Sequence, residues 1–179
     1  VKTIYRTFLQ YKSTLFFIIK FIGIYVLLVA IYNFYLSQHA EQTDFLTDFV
    51  GKSVTKIFSW FHIDAQTAPI ASEASLKLII NGDYVARIVE GCTAVSIIIL
   101  FVSFVLAFAD SIKKALFFAL PAALSIFVFN IFRIVMLGYI FYAFPEIKDF
   151  SHRVIFPAII YGYVVVLWIV FIKKINDRI

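Results

Sequence analysis

Charge is scarce in this chain and cysteine almost missing. Only 15% of its residues are Asp, Glu, Lys or Arg, against about 25% in a soluble domain. That excludes an ordinary water-facing surface over the whole chain. The single cysteine, Cys92, excludes an intramolecular disulfide and any Cys-x-x-Cys metal or redox site, and leaves one free thiol. There is no Gly-rich phosphate loop, and neither His-Glu-x-x-His nor Gly-x-Ser-x-Gly occurs. Cys92 and His152 as zinc ligands would lack further ligands at useful spacing. No cofactor and no metal is expected. Internal repeats and low-complexity tracts are also lacking.

What fills the chain is apolar: 63% of it is hydrophobic and 19% aromatic, gathered in long runs. The lipid bilayer is therefore the expected solvent. A formal net charge of +5 then says little about nucleic acid, and no nucleic-acid partner is expected. The positions of the basic residues matter more.

Four stretches are long enough to span: Leu15–Leu36, about Thr93–Ala109, Ala115–Ile140 and about Val154–Ile172. Lys20, near the start of the first, can snorkel back to the interface. That stretch is too long and too poorly ended for a cleaved signal peptide, despite a weak cleavage-like echo at Ser37–Ala40, and reads as an uncleaved anchor. An initiator methionine is expected to precede Val1.

The basic residues orient the bundle. Lys2, Arg6 and Lys12 precede the first span, Lys113 and Lys114 separate the second and third, and Lys173, Lys174 and Arg178 follow the fourth. The positive-inside rule places all three groups in the cytoplasm. The segment 37–91 then lies outside, and it is acidic: seven Asp/Glu (Glu41, Asp44, Asp48, Asp64, Glu73, Asp83, Glu90) against four Lys/Arg (Lys52, Lys56, Lys77, Arg87).

Within that outer segment, Phe45–Ile63 places Phe45, Phe49, Ile57, Trp60 and Phe61 on one helical side, which predicts an amphipathic helix lying on the membrane. After turn signals around Pro69, two β-rich runs flank Asn81-Gly82, predicting a β-hairpin that delivers the chain to Cys92. The expected fold is an all-α polytopic membrane protein: a four-span helical bundle with both termini cytoplasmic. It forms one integral-membrane domain over 1–179, with the outer helix and hairpin between spans one and two.

Three polar residues stand where polarity is expensive. Arg133 lies inside an apolar run, a position that calls for a function and a partner. Asn130 shares its helical face three residues earlier, and His152 sits just before the fourth span. Counting about 1.5 Å per helical residue from the cytoplasmic lysines puts Cys92 roughly 32 Å from Lys113, Arg133 roughly 28 Å from Lys114, with Pro121 able to kink that path, and His152 roughly 32 Å from Lys173. The hydrocarbon core is about 30 Å thick, so all three converge on the outer interface. Gly91 reads as a hinge ahead of the second span, and Glu90 as a group able to pair with Arg87, His152 or a substrate. The set suits acyl chemistry: a thiolate nucleophile, a histidine to move its proton, and a cation for the thiolate or a developing oxyanion.

Taken together, "EGCTAVSI" (90–97), "NIFRIVMLGYIF" (130–141) and "FSHRVIF" (150–156) resemble the exosortase/archaeosortase family. Its pattern is a Cys opening one span, an Asn-x-x-Arg late in the next and a His before the following one. Cys92, Asn130 with Arg133, and His152 match in order. The likeness covers about Val85 to Trp168, and the small size resembles the short exosortase F type of Bacteroidetes-like bacteria. Where the family often continues Cys-Ser-Gly, this chain has Cys92-Thr93-Ala94, and it has fewer spans ahead of the Cys.

The resemblance implies a membrane-embedded cysteine peptidase or transpeptidase in the bacterial cytoplasmic (inner) membrane, acting at the periplasmic side. Its partners would be exported proteins whose C-terminal sorting signal joins a short motif, a hydrophobic helix and a basic tail. Cys92 would form the thioester, Arg133 would stabilise the oxyanion and His152 would shuttle protons, with Asn130 in support. The alternative is a non-enzymatic assembly or scaffold subunit of a surface-protein export system, with Arg133 pairing a partner helix. A small transporter fits less well, because the polar residues gather at one interface.

Overall fold

The structure, a computed structural model, describes residues 2–39, 42–71 and 73–176. Arg178 among the topology markers, Glu41 of the acidic segment and Ala40 of the cleavage-like echo lie outside the described residues.

The chain is mostly helical. Helix α1 (Lys2–Ser37) is followed by α2 (Phe45–Trp60) and by strands β1 (Ala65–Ile70), β2 (Glu73–Ile80) and β3 (Asp83–Val89). A 3-10 turn, Glu90–Thr93, leads into α3 (Val95–Phe108), and α4 (Ile112–Ala143) follows. A short passage then holds a 3-10 turn (Pro145–Ile147), one turn of α5 (Lys148–Phe150) and a π-helical turn (Ser151–Ile155), before α6 (Phe156–Asn176).

Three segments are long and apolar enough to cross a bilayer: Tyr11–Ser37, Ile112–Ala143 and Pro145–Lys174. The second expected span is shorter than its sequence run. Helix α3 has 14 residues, about 21 Å at 1.5 Å each, because the chain stays in a 3-10 turn through Thr93 and leaves the helix at Ala109. Helix α4 runs unbroken through Pro121, and the apolar run after Arg133 simply prolongs it.

The protein has two cores. In the bundle, α3, α4 and α6 meet around Phe101, Val105, Ile126, Ile160 and Val164. Ala115, Ala119 and Ala122 line α4's inner side, small residues that let neighbouring helices approach closely. Helix α1 packs on α3 through aromatic edges, Phe17 against Phe104 at 5.6 Å.

The outer core joins α2, the sheet and the outer third of α4, around Val54, Phe58, Leu78, Ile88, Ile131 and Ile134. Asp44 caps α2, its carboxylate accepting from the Leu46 and Thr47 amides at 3.0 and 3.4 Å. One residue of the expected amphipathic stripe, Ile57, is corrected here. Val50, Val54, Ile57 and Phe58, at i, i+4, i+7 and i+8, form the buried face against the sheet and α4, while Phe45, Phe49, Trp60 and Phe61 stay exposed. Ile57 therefore belongs to the core side.

The sheet is antiparallel in the order β1-β2-β3. Asn81 and Gly82, at φ 51° and 90°, make a two-residue turn between β2 and β3 of the kind that needs positive φ at both positions. A third strand, β1, replaces the turn expected around Pro69. A proline cannot donate to a ladder, but β1 is an edge strand and its register shifts between Pro69 and Ile70, where the missing N–H costs little.

Candidate active site

Strand β3 ends at Val89, and the chain turns at once through Glu90–Thr93, where Cys92 sits half-buried. The Thr93 hydroxyl donates to the Glu90 carbonyl at 2.8 Å, tightening the turn. Ala94, at φ 61°, supplies the left-handed residue from which α3 starts. Gly91 is exposed and a side chain there would meet only ordinary contact; the left-handed residue of the bend is Ala94. Glu90 has no ion pair among the described residues; Arg87 pairs with Glu73 instead.

Asn130 projects from α4, wholly buried, and its Nδ2 donates to the Cys92 carbonyl at 2.6 Å. One side chain thus ties the turn to the membrane helix. Among the described residues the Asn130 Oδ1 has no protein partner. One turn further out, Arg133 carries a buried Nε that also lacks a partner. No carboxylate lies within salt-bridge distance of Arg133 among the described residues, and Cys92 is within electrostatic reach of the guanidinium. Buried polar atoms without partners are uncommon, and a membrane-depth cation without a counter-ion is more so.

His152 arrives from the far side of the sequence. Pro157, the second residue of α6, has no N–H, and just ahead of it the helix widens: the Phe156 amide donates to the Ser151 carbonyl, five residues back. Widened turns of this kind are frequent at functional sites. Here the turn carries exposed His152, beside Phe141 at 6.2 Å between ring centres, and next to wholly buried Ser151, whose hydroxyl is unpartnered.

Cys92, Arg133 and His152 line one cavity of about 360 Å³ between β3 and the outer end of α4. The depth count from the lysines therefore grouped residues that do share a space. Asn130 stands behind it, on the backbone of Cys92. Leu137 and Gly138 continue the α4 wall. A Cβ on Gly138 would meet Leu78 at 2.9 Å and Phe58 at 3.3 Å, so the bare glycine lets α4 approach the outer core.

A family model described as transmembrane exosortase matches residues 7–173. The chain belongs to the transmembrane exosortase family. It is a multi-pass helical membrane protein of a family that acts on exported proteins with sorting signals. Comparison with curated proteins and with solved structures gave no match.

Two cavity residues escaped the sequence reading. Lys148, four residues before His152, stands over the Phe141 ring at 4.9 Å. That i, i+4 spacing is the signal that could have found it. Arg87 was read for its charge and as a partner for Glu90, and its place on the cavity wall follows from the fold of β3.

Proposed function

We propose that the chain is a cysteine peptidase or transpeptidase that cleaves the C-terminal sorting signal of exported proteins at the outer face of the bacterial cytoplasmic membrane. The observation that carries the reading is the shared cavity of Cys92, Arg133 and His152. In this reading the Cys92 thiol gives its proton to His152 and its sulfur attacks the scissile carbonyl carbon. Arg133, which pairs with no carboxylate among the described residues, holds the oxyanion. Collapse breaks the C–N bond, and His152 returns the proton to the leaving amine. The acyl group stays on Cys92 as a thioester until an amine, a hydroxyl or water takes it. Asn130, by holding the Cys92 carbonyl, positions the nucleophile.

The same reading completes the topology. Helix α3 serves as a short fourth crossing, both termini face the cytoplasm, and residues 1–179 act as one integral-membrane domain. Lys113, Lys114, Lys173 and Lys174 at the inner ends support that orientation. The substrate's apolar helix would approach through the bilayer, leaving its motif beside Cys92.

The decisive experiment is processing of C-terminal-signal proteins in cells carrying Cys92→Ala or Cys92→Ser, with mass-spectrometric trapping of the Cys92 thioester in the parent protein. Both substitutions are expected to abolish processing. Intact processing would sink the enzyme reading. If Arg133→Ala alone then abolished complex formation, the protein would be a scaffold for surface export.

A further inference from the structure

The wall of this cavity formed by β3 is unusual in one respect. Tyr84, Val85, Ala86, Arg87 and Ile88 all line it, five consecutive residues, whereas β2 contributes Leu78. Successive side chains of a strand point to opposite faces, so five in a row cannot be one face. The cavity borders the edge of the strand, backbone included.

That edge is open. β3 is the terminal strand, paired on one side with β2. Among the described residues no other element gives a hydrogen bond to its backbone or takes one from it. Val85 has no partner across the ladder, because the register shifts between Leu78 and Ile79; such a bulge adds twist beside a site. An unpaired strand edge is a template for another strand, and edges in natural proteins are usually covered. This one faces a cavity and runs, three residues beyond its end, into Cys92.

Resting on the reading of the cavity as the active site, we propose that β3 is the substrate's docking edge. The extended segment ahead of the substrate's membrane helix adds to the sheet as a fourth strand, main chain to main chain. Pairing holds the backbone rigid and straight as it passes the nucleophile, and supplies affinity without demanding a long side-chain code. The wall also sorts by charge. Arg133 and Lys148 line the cavity beside His152, the Arg87 on its wall is paired with Glu73, and among the described residues no carboxylate lines it, so a neutral or acidic strand is accepted and a basic one refused.

The test uses the full-length Cys92→Ala protein in its native membrane, so that substrate binds without turnover. A photo-crosslinking phenylalanine replaces Tyr84 or Ala86 on β3, Phe141 on the opposite cavity wall, or Gln66 on β1 as control. The probe ligands are the cell's own exported proteins with an apolar C-terminal helix and a basic tail, and cross-linked residues are mapped by mass spectrometry. Cross-links from Tyr84 and Ala86 are expected on the segment just ahead of the apolar helix. Moving the probe two positions along β3 should shift the cross-link by about two residues, and Gln66 should give none. Cross-links from Phe141 without any from β3, or β3 cross-links that do not step, would overturn strand addition while leaving the active site standing. Processing that survives Cys92→Ala would overturn the active-site reading itself, and the docking edge with it.

Discussion

The outer unit and the helical bundle solve opposite problems with the same chain. The sheet alternates in the manner of a protein in water: Leu76, Leu78 and Ile80 of β2 point into the core, while Lys77 is exposed and faces Arg87 across the ladder. In the bundle the pattern inverts. Small alanines line the inside, and large residues such as Phe117, Leu120, Leu124 and Val166 are exposed, as lipid-facing residues can be at no hydrophobic cost. Helix α4 serves both, with Ala115 to Ile126 in one core and Ile131 to Val135 in the other. Cys92 packs on the outer core and Ala94 belongs to the bundle core. The candidate nucleophile thus stands on the seam between the two cores. A water-like fold brings it there, and a membrane helix supplies the buried amide and cation beside it.

The largest effect expected from breaking the outer half is at Phe58, almost wholly buried between α2, Leu78 and Gly138. Phe58→Ala should cost about 3–5 kcal/mol of the outer unit's stability. It should be read as lost amide-exchange protection in β1–β3 with α3 and α6 unchanged. Equal loss in both halves would mean that the two cores unfold as one.

Next is the contact that joins them. Gly138→Val forces a side chain into Leu78 and Phe58, and overpacking costs about 1–3 kcal/mol. Because Gly138 also lines the cavity, the rate of thiol alkylation at Cys92 should change with it. Unchanged stability and alkylation together would show that the outer unit moves freely on α4.

Asn130→Ala tests the tie itself. It removes the donor to the Cys92 carbonyl and leaves that acceptor unpaired, a loss of about 1–3 kcal/mol. The expected signature is a looser turn: faster amide exchange at residues 90–94 and a changed alkylation rate at Cys92, with the sheet's protection intact. Asn130→Asp, which keeps the shape but loses the N–H, should behave like the alanine variant if the hydrogen bond is what matters.

Much of this was legible because membrane and charge write in long words. Apolar runs announced the helices, and a lone arginine among them announced itself by cost. The lysines served as rulers from which Cys92, Arg133 and His152 could be set at one depth. What escaped depended on contacts between distant residues. Strand β1 was hidden by Pro69, tolerated only because its ladder has a free side. The packing face of α2 was not foreseen, and Ile57 was assigned to the other side, because the helix has apolar residues on two sides and which side is buried depends on where the sheet sits. The cavity wall of β3 was invisible because an open edge is a property of strand order, and strand order is not written in any one segment. The start of α3 at Val95 depends on a left-handed alanine, which no propensity favours.

The smallest effect sharpens the comparison most. Leu120 on α4 is two-thirds exposed, and in water truncating it would bring little change while leaving an apolar patch. In a bilayer Leu120→Ala should likewise alter stability within about 0.5 kcal/mol, because lipid tails replace the lost contact. Measured in bilayers by reversible unfolding, a near-zero result together with a large loss for Phe58→Ala would show that protein packs around Phe58 and none covers Leu120. A loss at Leu120 as large as that at Phe58 would mean that protein, not lipid, covers this face of α4, and the bundle would then need another helix or another copy against it.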